Sequence, residues 1–229
     1  MNSLNQFLTD PLTTQVLEAI GETLILLFVP GIFAVLFGGL LGLALFVLRK
    51  DQKFFHAKKS QVYLYRMLDV IVNVGRSIPF IILMIALLPL TRLLVGTTIG
   101  TVAACVPLAI AAIPFMARIV ENGCLNVSKG VIEAAHSMGA STAQILWYVI
   151  LPEAKINIIN GTGIMLIALV GYSAMAGTLA GGGLGALAFN YGYQRFNNNI
   201  IIITVILIVL LVQIIQYITN LICKYYSHH

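Results

Sequence analysis

Five long runs of apolar residues dominate the sequence. Four of them are long enough to cross about 30 Å of hydrocarbon as a helix that rises 1.5 Å per residue. These four runs cover roughly residues 20–48, 71–95, 156–180 and 200–223. A fifth run, residues 98–120, contains Pro107 and Pro114 but no charge before Arg118, and membrane helices tolerate proline where neighbours satisfy the freed backbone groups. We therefore predict an all-α polytopic membrane protein with five transmembrane helices in one membrane domain.

The composition and the placement of charge agree with this class. Hydrophobic residues make up 59% of the 229 residues and charged residues only 9%, which excludes an ordinary soluble domain. The net charge of +5 reflects loops on one side, which hold Arg49, Lys50, Lys53, Lys58, Lys59, Arg66, Arg118, Lys129, Lys155 and Lys224. The opposite loops hold only Arg92 and Arg195. The positive-inside rule then predicts an external N-terminus and a cytoplasmic C-terminus, and we expect no nucleic-acid partner.

A polar segment, residues 121–155, separates the third and fourth runs and reads as two short helices. Ser128 is suited to cap the first helix, and Gly139 fits the left-handed residue that ends it. A capping box begins at Ser141 and starts the second helix, which is expected to stop where Pro152 disfavours continuation. The sequence predicts a tight helical hairpin on the cytoplasmic side. The alternative is a surface linker held by lipid headgroups.

This segment carries a motif, Glu133-Ala134-Ala135, three residues, Gly139, and later Leu151-Pro152. The motif resembles the cytoplasmic coupling loop of ABC importer permeases, with every motif position filled. Further strings match the permease subunits of methionine ABC importers, and those near the C-terminus are the more specific to that branch: Ser77-Ile78-Pro79-Phe80, residues 110–118, Gly171-Tyr172-Ser173-Ala174-Met175-Ala176-Gly177, Gly181-Gly182-Gly183-Leu184-Gly185 and Tyr191-Gly192-Tyr193-Gln194-Arg195-Phe196.

The resemblance implies a function and partners. It implies a homodimer in a bacterial inner membrane with the methionine path on the two-fold axis, a pair of ATPase subunits and an external methionine-binding protein. L-methionine, and also D-methionine, are the implied solutes. The helix containing Glu133 would enter a groove on the ATPase. The residues assigned to this coupling are Glu133, Ala134, Ala135, Met138, Gly139 and Pro152.

The sequence lacks the residue patterns of several chemistries. A phosphate-binding glycine loop is absent, so ATP hydrolysis is expected on another chain, and we predict no enzyme activity, catalytic residue or cofactor here. Cys105, Cys124 and Cys223 show no spacing typical of a metal site or a disulfide. The spans show no buried chain of Asp, Glu or His for a proton relay. Glu22 and Arg76 lie near span ends, where we expect them to anchor at headgroups, with a role in the solute path as the alternative.

Small residues surround a candidate gate in the fourth span. Tyr172 and Met175 are the only large side chains between Gly171 and Gly177, and with Ser173 we assign them to the solute path. In a two-fold dimer, a pair of Met175 side chains would form a flexible apolar constriction. The alternative is that Met175 fills a packing gap.

Glycines are expected to permit close packing and to end a span. The pairs Gly38/Gly42 and Gly177/Gly181 predict close helix approach. The glycine run over residues 181–185 is expected to end the fourth span on the external side.

Other functions remain open at this stage. A permease for another small amino acid fits the same motifs. A channel or ion-coupled carrier that works without an ATPase would need an inverted repeat or charged groups along its path, and neither pattern is evident. A membrane scaffold that recruits a cytoplasmic protein through residues 121–155 is the third class.

Overall fold

The computed structural model describes residues 11–49 and 59–227, and within these ranges the chain forms helices and no strand. Four helices there are long and apolar enough to cross a membrane, and the broken pair Gln61–Ser77 and Phe80–Ala86 supplies a fifth span if counted as one. The four are Thr13–Leu48, Thr101–Leu125, Thr142–Leu179 and Asn198–Ser227. The predicted all-α polytopic fold is therefore confirmed.

The helices are numbered in chain order. They are α1 Pro11–Phe33, α2 Gly39–Leu48, α3 Lys59–Ser77, α4 Phe80–Ala86, α5 Leu88–Val95, α6 Thr101–Leu125, α7 Lys129–Ser137, α8 Thr142–Gln144, α9 Leu151–Ala176, α10 Gly183–Leu187 and α11 Asn198–Ser227. Wider π-helical turns occupy Ala34–Gly38, Ile145–Ile150, Gly177–Gly181 and Ala188–Tyr193.

The second predicted span is not one continuous helix. The prediction placed a span over residues 71–95, but α3 ends at Ser77 and α4 begins at Phe80. Pro79 between them has an extended ψ of 134°, and a proline also disfavours helical conformation in the residue before it. The break therefore follows from Pro79, whose effect the span prediction left out.

The helix boundaries around the polar segment, residues 121–155, also differ from the prediction. Helix α6 continues to Leu125, so Glu121 belongs to a helix and is fully buried instead of opening a polar loop. The helix expected to stop at Pro152 continues into α9, because a π-helical turn over Ile145–Ile150 comes directly before it. A wider turn changes the hydrogen-bond register locally, which lets a helix pass a residue that has no N–H to donate.

The chain divides into two compact units. Within the described residues, the first unit takes in residues 11–32, Pro79–Ile110 and Leu166–Gln216, and the second takes in residues 33–49, 59–78, Ala111–Met165 and 217–227. The prediction of a single membrane domain over the whole chain stays a prediction.

The first unit is organised around a glycine turn. Gly182 and Gly183 have φ of +81° and +78°, and they end the helical course of the fourth span, as expected from the glycine run. After this turn, Leu184 and Leu187 of α10 pack with Ala19 of α1 into a buried cluster.

In the second unit, α2, α3 and α6 share a buried cluster of Leu45, Val72 and Ala117. The predicted close approach at Gly38 and Gly42 is confirmed. A β-carbon at Gly38 would lie 2.5 Å from the carbonyl oxygen of Ile113, and one at Gly42 would lie 2.4 Å from that of Ala117. Such distances leave no room for a side chain, so the two helices touch backbone to backbone.

Replacing Gly42 with alanine tests this packing. The new β-carbon must push α2 and α6 apart, and overpacking of this kind costs about 1–3 kcal/mol. We expect Gly42→Ala to lower the thermal unfolding midpoint of the purified protein in detergent. Gly39→Ala is the matched control, because a β-carbon at Gly39 would meet no atom within 4 Å. Equal midpoints for the two variants would contradict the close approach.

Candidate functional site: the coupling helix and the α9 gate

Helix α7 forms the first arm of the predicted hairpin, and its end is built as expected. Gly139 has φ of +83°, its N–H bonds to the carbonyl of His136 at 2.9 Å, and the N–H of Ala140 bonds to that of Ala135 at 3.2 Å. This pair of bonds is the Schellman arrangement, which satisfies carbonyls that a helix end leaves free. The prediction of a left-handed Gly139 is confirmed.

The two predicted caps have different outcomes. Ser128 occupies the N-cap position of α7, but its side chain makes no capping hydrogen bond. Ser141 and Gln144 form the predicted capping box at the start of α8. The N–H of Ser141 donates to Gln144 Oε1 at 2.8 Å, and the N–H of Gln144 donates to Ser141 Oγ at 3.4 Å. These bonds fix the position at which the second arm begins.

Helix α7 buries one side and exposes the other. Ile132 and Ala135 are buried and α7 packs against the π-helical turn Ile145–Ile150. Val131, Ala134 and Met138 are exposed, Met138 at 81%. These three residues lie at i, i+3 and i+7, so they form an apolar stripe on the outer side of the helix.

The remaining residues assigned to coupling lie at different places. Glu133 is exposed beside the stripe and is the fifth residue of α7, so it lies in the second turn of the helix. Pro152 is exposed in the first turn of α9. Ala135 faces inward, so its small size serves the packing of α7 and not an outer surface.

The candidate gate residues lie in α9 within the first unit and differ in exposure. The ring of Tyr172 stacks on Phe80 with 4.9 Å between centroids. Ser173 is buried and donates to the carbonyl of Val170 at 2.8 Å. Met175 is 47% exposed, and Gly171, one turn earlier, is also exposed. Of the three predicted path residues, Met175 is the one with a large exposed side chain.

Glu22 has a structural role that the sequence reasoning missed. Its Oε2 accepts the N–H of Gly183 at 2.6 Å, and its Oε1 accepts the hydroxyl of Thr101 at 2.8 Å. Thr23 accepts the N–H of Leu184 at 2.8 Å. Two N–H groups at the start of α10 thus find acceptors on α1, where a helix would otherwise leave them unpaired. Glu22 is held by the glycine turn instead of by headgroups, and nothing local in the sequence indicates that pairing.

Arg76 lies against an aromatic ring. Its guanidinium is 5.7 Å from the centroid of Phe115, a distance at which a cation is attracted to the face of a ring. No group of three or more His, Cys, Asp or Glu side chains suited to hold a metal occurs among the described residues.

Comparisons with known proteins agree with these features over most of the chain. Residues 54–225 match the family described as binding-protein-dependent transport system inner membrane component. A probable D-methionine transport system permease protein MetI from Vibrio cholerae is 45% identical over 212 residues, which cover 93% of this chain and 92% of that protein. The D-methionine transport system permease protein MetI of Escherichia coli K12 is 46% identical over 170 residues, covering 74% and 76%.

Solved structures give the same result for the fold. A chain of the methionine ABC transporter MetNI, in an inward-facing conformation, aligns with a TM-score of 0.89 at 42% identity and covers 95% of this chain and 99% of that one. The agreement of the family match, the identities and the fold leads to one conclusion. The chain belongs to the family of binding-protein-dependent transport system inner membrane components.

Proposed function

We propose that this chain is the permease subunit of an ATP-driven methionine importer in a bacterial inner membrane. It acts as a homodimer together with two ATPase subunits that hydrolyse ATP, and it receives L- or D-methionine from an external binding protein. Its similarity to methionine permeases along nearly its whole length carries the proposal. The exposed apolar stripe of α7 supports it, since such a stripe on a cytoplasmic helix needs a protein partner.

Reconstitution of the full complex in liposomes tests the proposal. Uptake of labelled methionine is expected to require ATP on the ATPase side and binding protein on the other side. The solute is tested with L- and D-methionine and with other small amino acids in competition. Uptake without the ATPase would favour a channel or carrier, and ATPase binding without any uptake would favour a scaffold.

The orientation follows from the loop charges, and labelling checks it. Ser60 belongs to the basic side and Asn198 to the side with few charges, so we infer that Ser60 faces the cytoplasm and Asn198 the exterior. Single cysteines at these positions in a cysteine-free background are treated with an impermeant thiol reagent in spheroplasts. Asn198→Cys is expected to react and Ser60→Cys is not. The opposite pattern would reverse the topology.

The coupling role of α7 depends on the turn at Gly139. A β-branched residue at φ of +83° is strained by about 1 kcal/mol or more, and the strain shifts α7 relative to the second arm of the hairpin. We expect Gly139→Val to insert and dimerise but to lose ATPase association or methionine uptake.

Gly130→Val is the matched control, because Gly130 has ordinary helical geometry and its added β-carbon would meet only Ser128 Oγ at 3.7 Å. ATPase pull-down and uptake are measured for both. Wild-type ATPase association and wild-type methionine uptake by Gly139→Val would show that coupling does not depend on this turn.

The gate role is assigned to Met175. In a two-fold dimer its exposed thioether would meet its symmetry mate and close the path with a flexible apolar contact. Met175→Ala is then expected to raise the ATP-independent leak of methionine from liposomes several-fold.

Ile164→Ala is the control for this prediction, because Ile164 is 54% exposed on the same helix. Met165 is unsuitable, since it is 1% exposed and its truncation would open a cavity. Equal leak from both variants, or none from a well-folded Met175→Ala dimer, would return Met175 to a packing role.

A further inference from the structure

Three charged side chains form a cluster around one buried carboxylate. Glu121 on α6 has a side chain that is 0% exposed. Arg118 on the same helix and Arg49 after α2 pair with it, and Asp69 on α3 pairs with Arg118. Two acids and two bases make the cluster neutral, and all of them belong to the second unit.

Arg118 links two helices by forking between two carboxylates. Its Nη1 donates to Glu121 Oε2 at 2.5 Å. Its Nη2 donates to Asp69 Oδ1, and to Asn73 Oδ1 at 2.8 Å. The planar guanidinium holds several donors in fixed directions, which a lysine ammonium does not. The α3–α6 contact is therefore directional as well as charged.

The other oxygen of Glu121 is held by longer bonds. Its Oε1 accepts from Arg49 Nη1 at 3.4 Å and from the hydroxyl of Tyr65 at 3.5 Å. Charge-assisted bonds are normally shorter than 3 Å. The short hydrogen bonds of Arg118 therefore join α3 to α6, whereas the bond from Arg49 to Glu121 is longer and weaker.

The cluster lies close along the chain to the coupling helix. Only Asn126, Val127 and Ser128 separate the end of α6 from α7. The N–H of Asn126 bonds to the carbonyl of Asn122 at 3.1 Å, and that of Val127 bonds to Cys124 at 3.4 Å. Val127 is also buried. A short, hydrogen-bonded and buried connection transmits displacement, where a slack loop would absorb it.

A buried ion pair is poor evidence for stability alone, because apolar residues of similar volume often stabilise as well or better. We propose that Arg118 and Glu121 are positioning residues for transport. The Arg118 fork fixes α3 to α6, so that a displacement of α7 by the ATPase moves both helices as one body. This inference rests on the proposed function, since it needs an ATPase that moves α7.

The inference is tested by the amount of methionine that the reconstituted complex takes up per ATP hydrolysed. Arg118→Lys keeps the charge but loses the fork, and Glu121→Gln keeps the shape but loses the charge. Both are expected to bind the ATPase normally and to hydrolyse ATP, while methionine taken up per ATP falls about tenfold, because a residue between two coupled sites changes their coupling by about this factor. Arg66→Lys on α3 and Glu153→Gln on α9 are matched controls at exposed positions, and both are expected to keep the wild-type ratio.

A combined variant separates positioning from stability. Arg118→Met, Asp69→Leu and Glu121→Met together replace the ion pairs with apolar side chains of similar volume, a change that is often neutral or stabilising. We expect this variant to unfold at the wild-type midpoint while its ratio of methionine to ATP stays low. A wild-type midpoint together with a wild-type ratio, or a wild-type ratio in the two single variants, would overturn the inference.

A distance measurement tests whether the Arg118 fork holds α3 and α6 together, and it needs no methionine. Spin labels at the exposed positions Met67 on α3 and Asn122 on α6 report the separation of the two helices in the full complex. With the wild-type cluster, the distance distribution is expected to be the same in nucleotide-free and ATP-trapped states, and Arg118→Lys is expected to broaden it. A wild-type distance that changes between states would overturn the inference. Lack of methionine uptake by the wild-type complex, with this result intact, would count against the proposed function alone.

Discussion

The structure depends on the need to pair buried backbone N–H groups and charges within the chain. Hydrocarbon offers neither donors nor acceptors, so an unpaired N–H or charge costs several kcal/mol there. The turn at Gly182 and Gly183 is possible because Glu22 and Thr23 accept the N–H groups that the turn frees. The same rule governs Glu121, which is buried together with its bases.

Close contact between helix backbones is the second condition of this fold. Lipid tails are as apolar as leucine, so helices gain little by hiding leucine from them and associate through tight packing. In the second unit, Gly42 brings α2 against the carbonyl of Ala117. In the first unit, a β-carbon at Gly185 would lie 2.4 Å from the carbonyl oxygen of Ala174. The glycine turn can fold back on its own span only because both partners of this contact are small.

Local signals in the sequence were enough to predict the parts that depend on neighbouring residues. The polytopic all-helical class, the left-handed Gly139 and the capping box at Ser141 follow from hydropathy and from helix-end chemistry that acts over a few residues. The break at Pro79 was equally readable, because the effect of proline on the residue before it is local. The continuation of the helix through Pro152 could not be predicted in this way, since nothing local in the sequence distinguishes a π-helical turn from a helix end.

The missed parts of the site depend on residues far apart in the chain. Glu121 is the first residue of the polar segment, so its burial becomes evident only when Arg49 is seen beside it and Asp69 beside Arg118. Glu22 meets Gly183 across a separation of 161 residues. That Met175 and not Tyr172 is the exposed candidate likewise depends on Phe80, which stacks on the tyrosine ring. Short stretches of one sequence do not indicate contacts between residues that are far apart in the chain.

The size of α7 explains why its outer stripe matters. A helix of nine residues is too short to be stable alone in water, so its stability comes from packing. Ile132 and Ala135 bury only one narrow side, and the Schellman turn at Gly139 adds a fixed end. Covering Val131, Ala134 and Met138 with a partner would bury the second apolar side as well. Under the proposed coupling role, binding of the ATPase would also order α7, so the helix would move as a rigid unit with its partner.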